Sequence, residues 1–176
     1  EGEVVLLLEQ GRVPYKVPNS AFYLVPMFLR SSYYSDHVLL RDRSGHHKAR
    51  TYPLFDIEMT AIKELEARTA GIIAKKIAGV VATEAVGYGV AKATNSKLLG
   101  ALTAITLRAT DSADLRSWST LPARLQMARL TLPAGRQDIV LDMVTSSGSE
   151  MKGTRLFPNV EVKAGRITFL NYRTPD

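Results

Sequence analysis

The apolar residues of this chain follow two different periods, and their order limits the folds that the chain can adopt. Residues 1–56 and 122–174 show the alternation of strands, whereas residues 57–107 show the three- and four-residue spacing of helices. Each strand-like stretch alone has too few strands to enclose a core. We therefore predict that both ends of the chain share one sheet system, with the helical segment inserted between them.

The N-terminal stretch is predicted to form several short strands. Residues 4–8 are apolar at every position, which favours a strand that is covered on both faces. Two further strands are expected at residues 22–26 and 37–40, and residues 48–54 are expected to return as a fourth strand. A polar loop separates the last two.

The helical segment is predicted to be a hairpin of two helices. Asp56 is a typical N-cap, the Gly-Tyr-Gly at 87–89 is expected to weaken or end the first helix, and residues 95–96 begin the second. Charged residues interrupt every long apolar run, so we expect no transmembrane segment. Small residues let another backbone approach closely, so we expect the hairpin to pack against the sheet along an alanine stripe: Ala70, Ala74, Ala78 and Ala82.

The C-terminal stretch returns to the alternation of strands. Its apolar positions switch phase between Met127 and Leu130, which predicts a bulge near residues 128–129. An Ala-Gly-Arg turn occurs twice, within residues 133–136 and 163–166, and each turn predicts a hairpin. The sequence as a whole predicts an α+β fold: a mainly antiparallel, β-sandwich-like domain with an inserted helical hairpin.

Composition excludes several kinds of chemistry. There is no cysteine, so the chain has no disulfide, thiolate nucleophile or Cys-ligated zinc. The formal net charge of +6 is spread along the chain, which favours a mixed surface and no nucleic-acid partner. The three histidines lie in one N-terminal stretch, from His37 to His47, and the adjacent His46 and His47 would point to opposite faces of an extended segment. We therefore expect no metal, no cofactor and no catalytic residue, although a Ser-His-Asp triad from distant residues stays open.

A polar connector at residues 108–121 carries the other candidate residues. Asp111 and Asp114 lie beside Arg116, and we expect a hydrogen-bonded clasp rather than an acid–base pair. Trp118, the only tryptophan, is expected to be buried where helix meets sheet. The alternative is a ligand platform, in a cleft near Trp118 and Tyr172.

Residues 113–122 read Ala-Asp-Leu-Arg-Ser-Trp-Ser-Thr-Leu-Pro, and Ala-Arg at 128–129 and Leu-Pro-Ala-Gly at 132–135 follow. This pattern resembles an uncharacterised family of exported, proteobacterial-type lipoproteins with an Asp-x-Arg-Ser-Trp-x-Thr-Leu-Pro motif. Leu115 stands where the family usually has Thr. The opening residues 4–11 and the closing residues 165–173 are similar as well, so the resemblance spans nearly the whole chain.

The resemblance implies the C-terminal part of a longer envelope protein, at the periplasmic face of the outer membrane. Any signal and lipid anchor would lie outside this chain, and residues 1–176 are expected to form one domain. The resemblance suggests envelope proteins as partners, such as small lipoproteins or cell-wall synthase regulators. We expect a non-enzymatic assembly or scaffolding module; a periplasmic peptide- or carbohydrate-binding module is the alternative, and an envelope hydrolase comes third. The candidate structural or interaction residues are Asp114, Arg116, Trp118, Leu121, Pro122 and Tyr172.

Overall fold

The computed structural model describes residues 1–21, 23–32, 35–109, 112–148 and 154–174, and only the backbone at 105–109. Strands and helices follow the order that the sequence predicts, with strands at both ends and two helices between them. The elements are β1 (Gly2–Gln10), β2 (Tyr15–Pro18), β3 (Pro26–Leu29), β4 (Ser35–Asp42), β5 (Lys48–Arg50), β6 (Tyr52–Asp56), α1 (Ile57–Thr94), α2 (Lys97–Ala109), β7 (Arg124–Leu132), β8 (Gly135–Thr145), β9 (Arg155–Val162) and β10 (Ile167–Thr174).

The chain divides into two compact units, each of which is described by itself. The sandwich unit comprises Glu1–Pro14, Arg30–Met59 and Trp118–Asp176, and the helical unit comprises Tyr15–Leu29 and Thr60–Ser117. Compactness alone does not establish independent folding, so the expectation of a single domain stays a prediction.

The sandwich unit contains two four-stranded sheets. The front sheet has the order β10-β1-β7-β6, and the back sheet has the order β5-β4-β8-β9. Neighbouring strands are antiparallel except β1 and β10, which are parallel. The inner strand β1 is therefore N-terminal, while both of its neighbours, β7 and β10, are C-terminal. This arrangement confirms the α+β class and the shared sheet system.

The core of the sandwich unit lies between the two sheets. Alternate residues of β1 and β7 face alternate residues of β4 and β8, and these positions are aliphatic. Burying such side chains contributes roughly 25 cal/mol for each Å² of apolar surface removed from water. The buried cluster consists of Val4, Leu6, Leu8, Val38, Leu40, Ala128, Leu130, Leu132, Ile139, Leu141 and Val162.

A chain of buried polar side chains joins the two sheets at one end of the core. Gln126 Nε2 donates to Gln10 Oε1 at 2.7 Å, and the Thr51 hydroxyl donates to Gln126 Oε1 at 2.5 Å. Gln10 Nε2 donates to Ser35 Oγ at 2.7 Å, and Thr51 Oγ1 accepts from the Val38 N–H at 2.8 Å. Each bond satisfies a group that would otherwise be buried without a partner, so the network fixes the relative position of the sheets.

The predicted strand at residues 22–26 is wrong. Residues 23–25 form a turn, and β3 begins only at Pro26. Asn19 explains the difference, because its side chain accepts from the Ala21 N–H at 2.8 Å and its N–H donates to the Val25 carbonyl at 2.9 Å. Phe22 lies outside the described residues.

The two helices form the predicted hairpin, but the first continues through the Gly-Tyr-Gly at 87–89 to Thr94. Gly87 is a packing position rather than a helix end: a Cβ there would lie 2.9 Å from the Ala104 Cβ. Asn95, with φ of 50°, ends α1, as the sequence predicts. The N-cap is also confirmed, because Asp56 Oδ1 accepts from the Met59 N–H at 2.7 Å.

The four alanines of the predicted stripe on α1 are exposed. The packing of the hairpin against the sheet stays a prediction. In the described part of the chain, neither helix combines the length and apolar character that crossing a bilayer requires. The close contact in the hairpin lies elsewhere, at Gly87 and Gly100.

We expect Thr51→Val to destabilise the sandwich unit, because it leaves the buried Val38 N–H and Gln126 Oε1 without their hydroxyl partner. The free energy of unfolding should fall by about 1–3 kcal/mol. Thr131→Val is the matched control, since Thr131 is exposed and its loss should cost no more than about 0.5 kcal/mol. Urea unfolding followed by circular dichroism measures both, and equal midpoints would contradict the role of the network.

Two glycine-to-alanine changes should have opposite effects on the helical hairpin. A Cβ at Gly100 would lie 2.5 Å from the Ala91 Cβ and against the Gly87 carbonyl, whereas a Cβ at Gly89 would enter open space. We expect Gly100→Ala to lower the melting temperature. Gly89→Ala should raise stability by up to about 1 kcal/mol through helix propensity. Thermal unfolding at 222 nm distinguishes them, and the same sign for both changes would refute the packing contact.

Candidate interaction surface

The predicted clasp between Asp114 and Arg116 is present. Arg116 Nε donates to Asp114 Oδ1 at 2.9 Å, and its Nη2 donates to Oδ2 at 3.0 Å. These bonds hold the pKa of Asp114 well below its usual range. Both side chains are exposed, so the pair contributes little to stability and its acid is not tuned for proton transfer. Asp111 lies outside the described residues.

Trp118 is 73% exposed, so the prediction of its burial is wrong. The part of the motif that anchors the chain comes later, at residues 121–123. The Leu121 carbonyl accepts from the Val13 N–H at 3.0 Å, Pro122 is buried, and the Ala123 N–H donates to the Gln10 carbonyl at 2.9 Å. Leu121 and Pro122 are therefore structural, whereas Trp118 projects before the anchored segment.

Tyr172 belongs to the core rather than to an exposed platform. It packs against the buried cluster, and its ring meets that of Phe157 edge to face, with centroids 6.1 Å apart. The structure therefore does not pair Trp118 and Tyr172 as two open aromatic faces.

The loop between β4 and β5 gathers a serine, an aspartate and two histidines. Asp42 Oδ2 accepts from Ser44 Oγ at 2.8 Å and lies 3.0 Å from His47 Nδ1, and Ser44 Oγ lies 2.8 Å from His46 Nδ1. Burial opposes ionisation of Asp42, but these bonds outweigh burial and lower its pKa to about 2. In a catalytic triad the histidine stands between serine and acid; here Ser44 does. The cluster is therefore a stabilised turn.

Acidic and histidine side chains are the groups among the described residues that could bind a metal or assist hydrolysis. No three His, Asp or Glu side chains among them are placed to hold a metal ion. Glu58 is 4% exposed, and burial raises its pKa against the opposing charge of Arg30 at 3.4 Å. The pocket beside Glu58 measures about 200 Å³, below the usual size of a ligand site.

The outer face of the front sheet is apolar over much of its width. Strand register places Leu7 of β1 beside Met127 of β7, and Met127 beside Tyr52 of β6. The neighbouring row joins Leu125 of β7 to Phe55 of β6. We call these side chains, together with Phe169 of β10, the outer apolar band; Phe169 is 65%, Phe55 51% and Leu7 39% exposed.

Charged side chains border the band in pairs. Arg129 Nε donates to Glu3 Oε2 at 2.9 Å, and Arg173 lies 3.6 Å from Glu9. Each of these charges is paired with its neighbour. The feature of this face that is left for a partner is therefore its exposed apolar surface.

Two features of the sequence point to this band. Residues 4–8 predict a strand covered on both faces; on the outer face Val5 is buried as expected, but Leu7 is exposed. The phase switch in β7 is not a bulge either, because β7 pairs with β1 without a shift of register. The switch marks a change of face: Leu130 points into the core, whereas Leu125 and Met127 point outward.

Comparison of the chain with protein-family models, with curated proteins and with solved structures finds no match. The resemblance to exported lipoproteins therefore stays a prediction, and the geometry of the surface carries the functional proposal.

We expect the native protein to show the red, readily quenched emission of an indole in water, because Trp118 is exposed and is the only tryptophan. Trp118→Ala should change the free energy of unfolding by less than about 0.5 kcal/mol. Acrylamide quenching and urea unfolding provide the two measurements. A blue-shifted, protected emission would contradict the exposed position.

Proposed function

We propose that this chain is a non-enzymatic assembly module of the cell envelope that binds another protein through the outer apolar band. The observation that carries the proposal is the exposure of apolar side chains on the outer face of the front sheet, where Leu7, Tyr52 and Phe55 are 39%, 47% and 51% exposed. The core between the sheets does not include these side chains. Folding of the chain therefore leaves much of the band in contact with water.

The composition of the band suits a protein partner. Aromatic residues and methionine are enriched at protein interfaces, and the band contains Tyr52, Phe55, Phe169 and Met127. Its bordering charges are paired within the sheet, so a partner needs a complementary apolar face rather than a strong opposite charge. Large exposed apolar patches in folded proteins are typical of such sites.

The envelope setting comes from the resemblance of residues 113–122 to exported lipoproteins. On that basis we propose a place at the periplasmic face of the outer membrane, within a longer lipid-anchored protein. Small lipoproteins or regulators of cell-wall synthases are the proposed partners. The absence of a triad order at Ser44 supports a binding role over a hydrolytic one.

A second candidate function rests on Trp118. An exposed indole is a common platform for sugar rings. The exposed side chain of Trp118 therefore supports the alternative of a carbohydrate- or peptide-binding module. Titration with cell-wall fragments tests it directly, because any change in emission must come from Trp118. An unchanged emission at saturating fragment would reject this candidate.

Site-specific photocrosslinking tests the assembly function in envelope fractions that contain the full-length protein. We expect benzoylphenylalanine at position 52, inside the band, to give a discrete adduct with a different protein. Position 88 is the matched control, because Tyr88 is also an exposed tyrosine but belongs to α1 of the helical unit and is not a member of the band. Leu7→Gln should weaken the adduct from position 52, since it places an amide in the apolar row.

Three results would contradict the assembly function. These are no adduct from position 52, an equal adduct from position 88, or an adduct that Leu7→Gln leaves unchanged. The melting temperature of Leu7→Gln provides the folding control, and because Leu7 is partly exposed we expect it to change little.

A further inference from the structure

We infer that β10 is a strand-addition edge at which a second copy of this chain pairs antiparallel, with Phe169 opposite Phe169 of the second copy. This inference concerns the main-chain groups at the edge of the front sheet. It shares Phe169 with the outer apolar band, but it does not rest on the proposed function.

The two described sheets of the sandwich unit have four edge strands, and three of these carry features that obstruct strand addition. The β6 edge contains Pro53 and a register shift, and β5 is only three residues long. The β9 edge contains Pro158 and Asn159, whose φ of 55° interrupts the ladder with β8. Such features are the usual means by which proteins prevent pairing between edges.

The β10 edge has none of these features. Its eight residues contain no proline and no positive φ, and they pair with β1 in unbroken register from Ile167 to Thr174. In the part of the chain that the structure describes, the sheet order ends at β10. A long, regular edge of this kind is a template for another strand.

The direction of the main-chain N–H and C=O groups shows which residues of β10 can bond to a new strand. The Arg166 carbonyl accepts from the N–H of Glu3 in β1 at 3.0 Å, and the Thr174 carbonyl accepts from the N–H of Gly11, the residue after β1, at 2.8 Å. Because these groups alternate along a strand, the even-numbered residues between them bond to β1. The N–H and C=O groups of Ile167, Phe169 and Asn171 therefore point outward, where they can bond to a new strand.

The sequence of the edge favours a second copy as the new strand. Residues 167–172 are uncharged, and the nearest charges are Arg166 and Arg173 at the two ends. Parallel, in-register pairing would place each arginine beside its equivalent. Antiparallel pairing centred on Phe169 places Arg173 opposite Gly165 of the second copy, so the two Arg173 side chains lie about 27 Å apart along the strands.

This register is also favourable on the outer face of the sheet. Phe169 meets its equivalent across the two-fold axis, and directly opposed aromatic residues are a stabilising cross-strand pair. Ile167 lies opposite Asn171 of the second copy. Phe169 is 65% exposed in the single chain, so pairing covers the most exposed member of the outer apolar band.

Charge exchange at position 169 tests both the edge and the register. We expect the purified chain to sediment as a dimer of 19.4 kDa subunits. Phe169→Lys and Phe169→Glu should each raise the dissociation constant of the dimer about tenfold or more, because like charges then face each other across the axis. A mixture of the two variants should restore dimers, since lysine then faces glutamate.

Thr131→Lys is the control, because Thr131 is exposed on the same sheet but lies on the central strand β7. Its dimer should match that of the unmodified chain. Phe169 is exposed, so its variants should fold, and circular dichroism checks this. Hydrogen exchange adds a second measurement: the Phe169 amide should be slower to exchange in the dimer than in the dissociated chain.

The inference is overturned if the unmodified chain remains a monomer at its solubility limit. It is also overturned if Phe169→Lys dimerises normally, or if the mixture of lysine and glutamate variants stays monomeric. Crosslinking at position 52 to a different protein does not depend on these results, so the two proposals can fail separately.

Discussion

The sandwich depends on the position of β1 between β7 and β10. This one strand from the N-terminus is hydrogen-bonded to two strands from the C-terminus, so it joins the ends of the chain in a single sheet. The same sheet also accommodates the insertion. Asp56 pairs with Arg124, and the Ala123 carbonyl accepts from the N–H groups of Ile57 and Glu58, so the chain leaves and re-enters the sandwich at neighbouring positions.

Much of this architecture could be predicted from the sequence, because it rests on local periodicity and on the minimum size of a core. The N-cap at Asp56 and the break at residues 95–96 are local as well, and both are confirmed. Other predictions failed because distant contacts decide them. Gly87 stays helical since α2 approaches it closely, and Trp118 is exposed because the chain is anchored at residues 121–123 instead.

The sequence contains the signal of the candidate surface, but the simplest interpretation of that signal is wrong. The apolar second face of β1 predicts a covering layer, and the outward residues of β7 predict a bulge. Both interpretations assume that every apolar side chain is buried within its own chain. In this sheet Leu7, Leu125 and Met127 are regular strand residues whose side chains face away from the core between the sheets. An apolar position that folding leaves uncovered is itself evidence about binding.

The parallel pairing of β1 with β10 affects how the chain can fold while it is being synthesised. β1 leaves the ribosome before β10, and the helices and the other described strands are synthesised between them. Until β10 emerges, one side of β1 lacks its strand, and its apolar residues are available to any other extended segment. Long-range pairing of this kind is slow and prone to aggregation. Production of the protein should therefore be sensitive to chaperones that bind extended, apolar nascent chains until the last strand is complete.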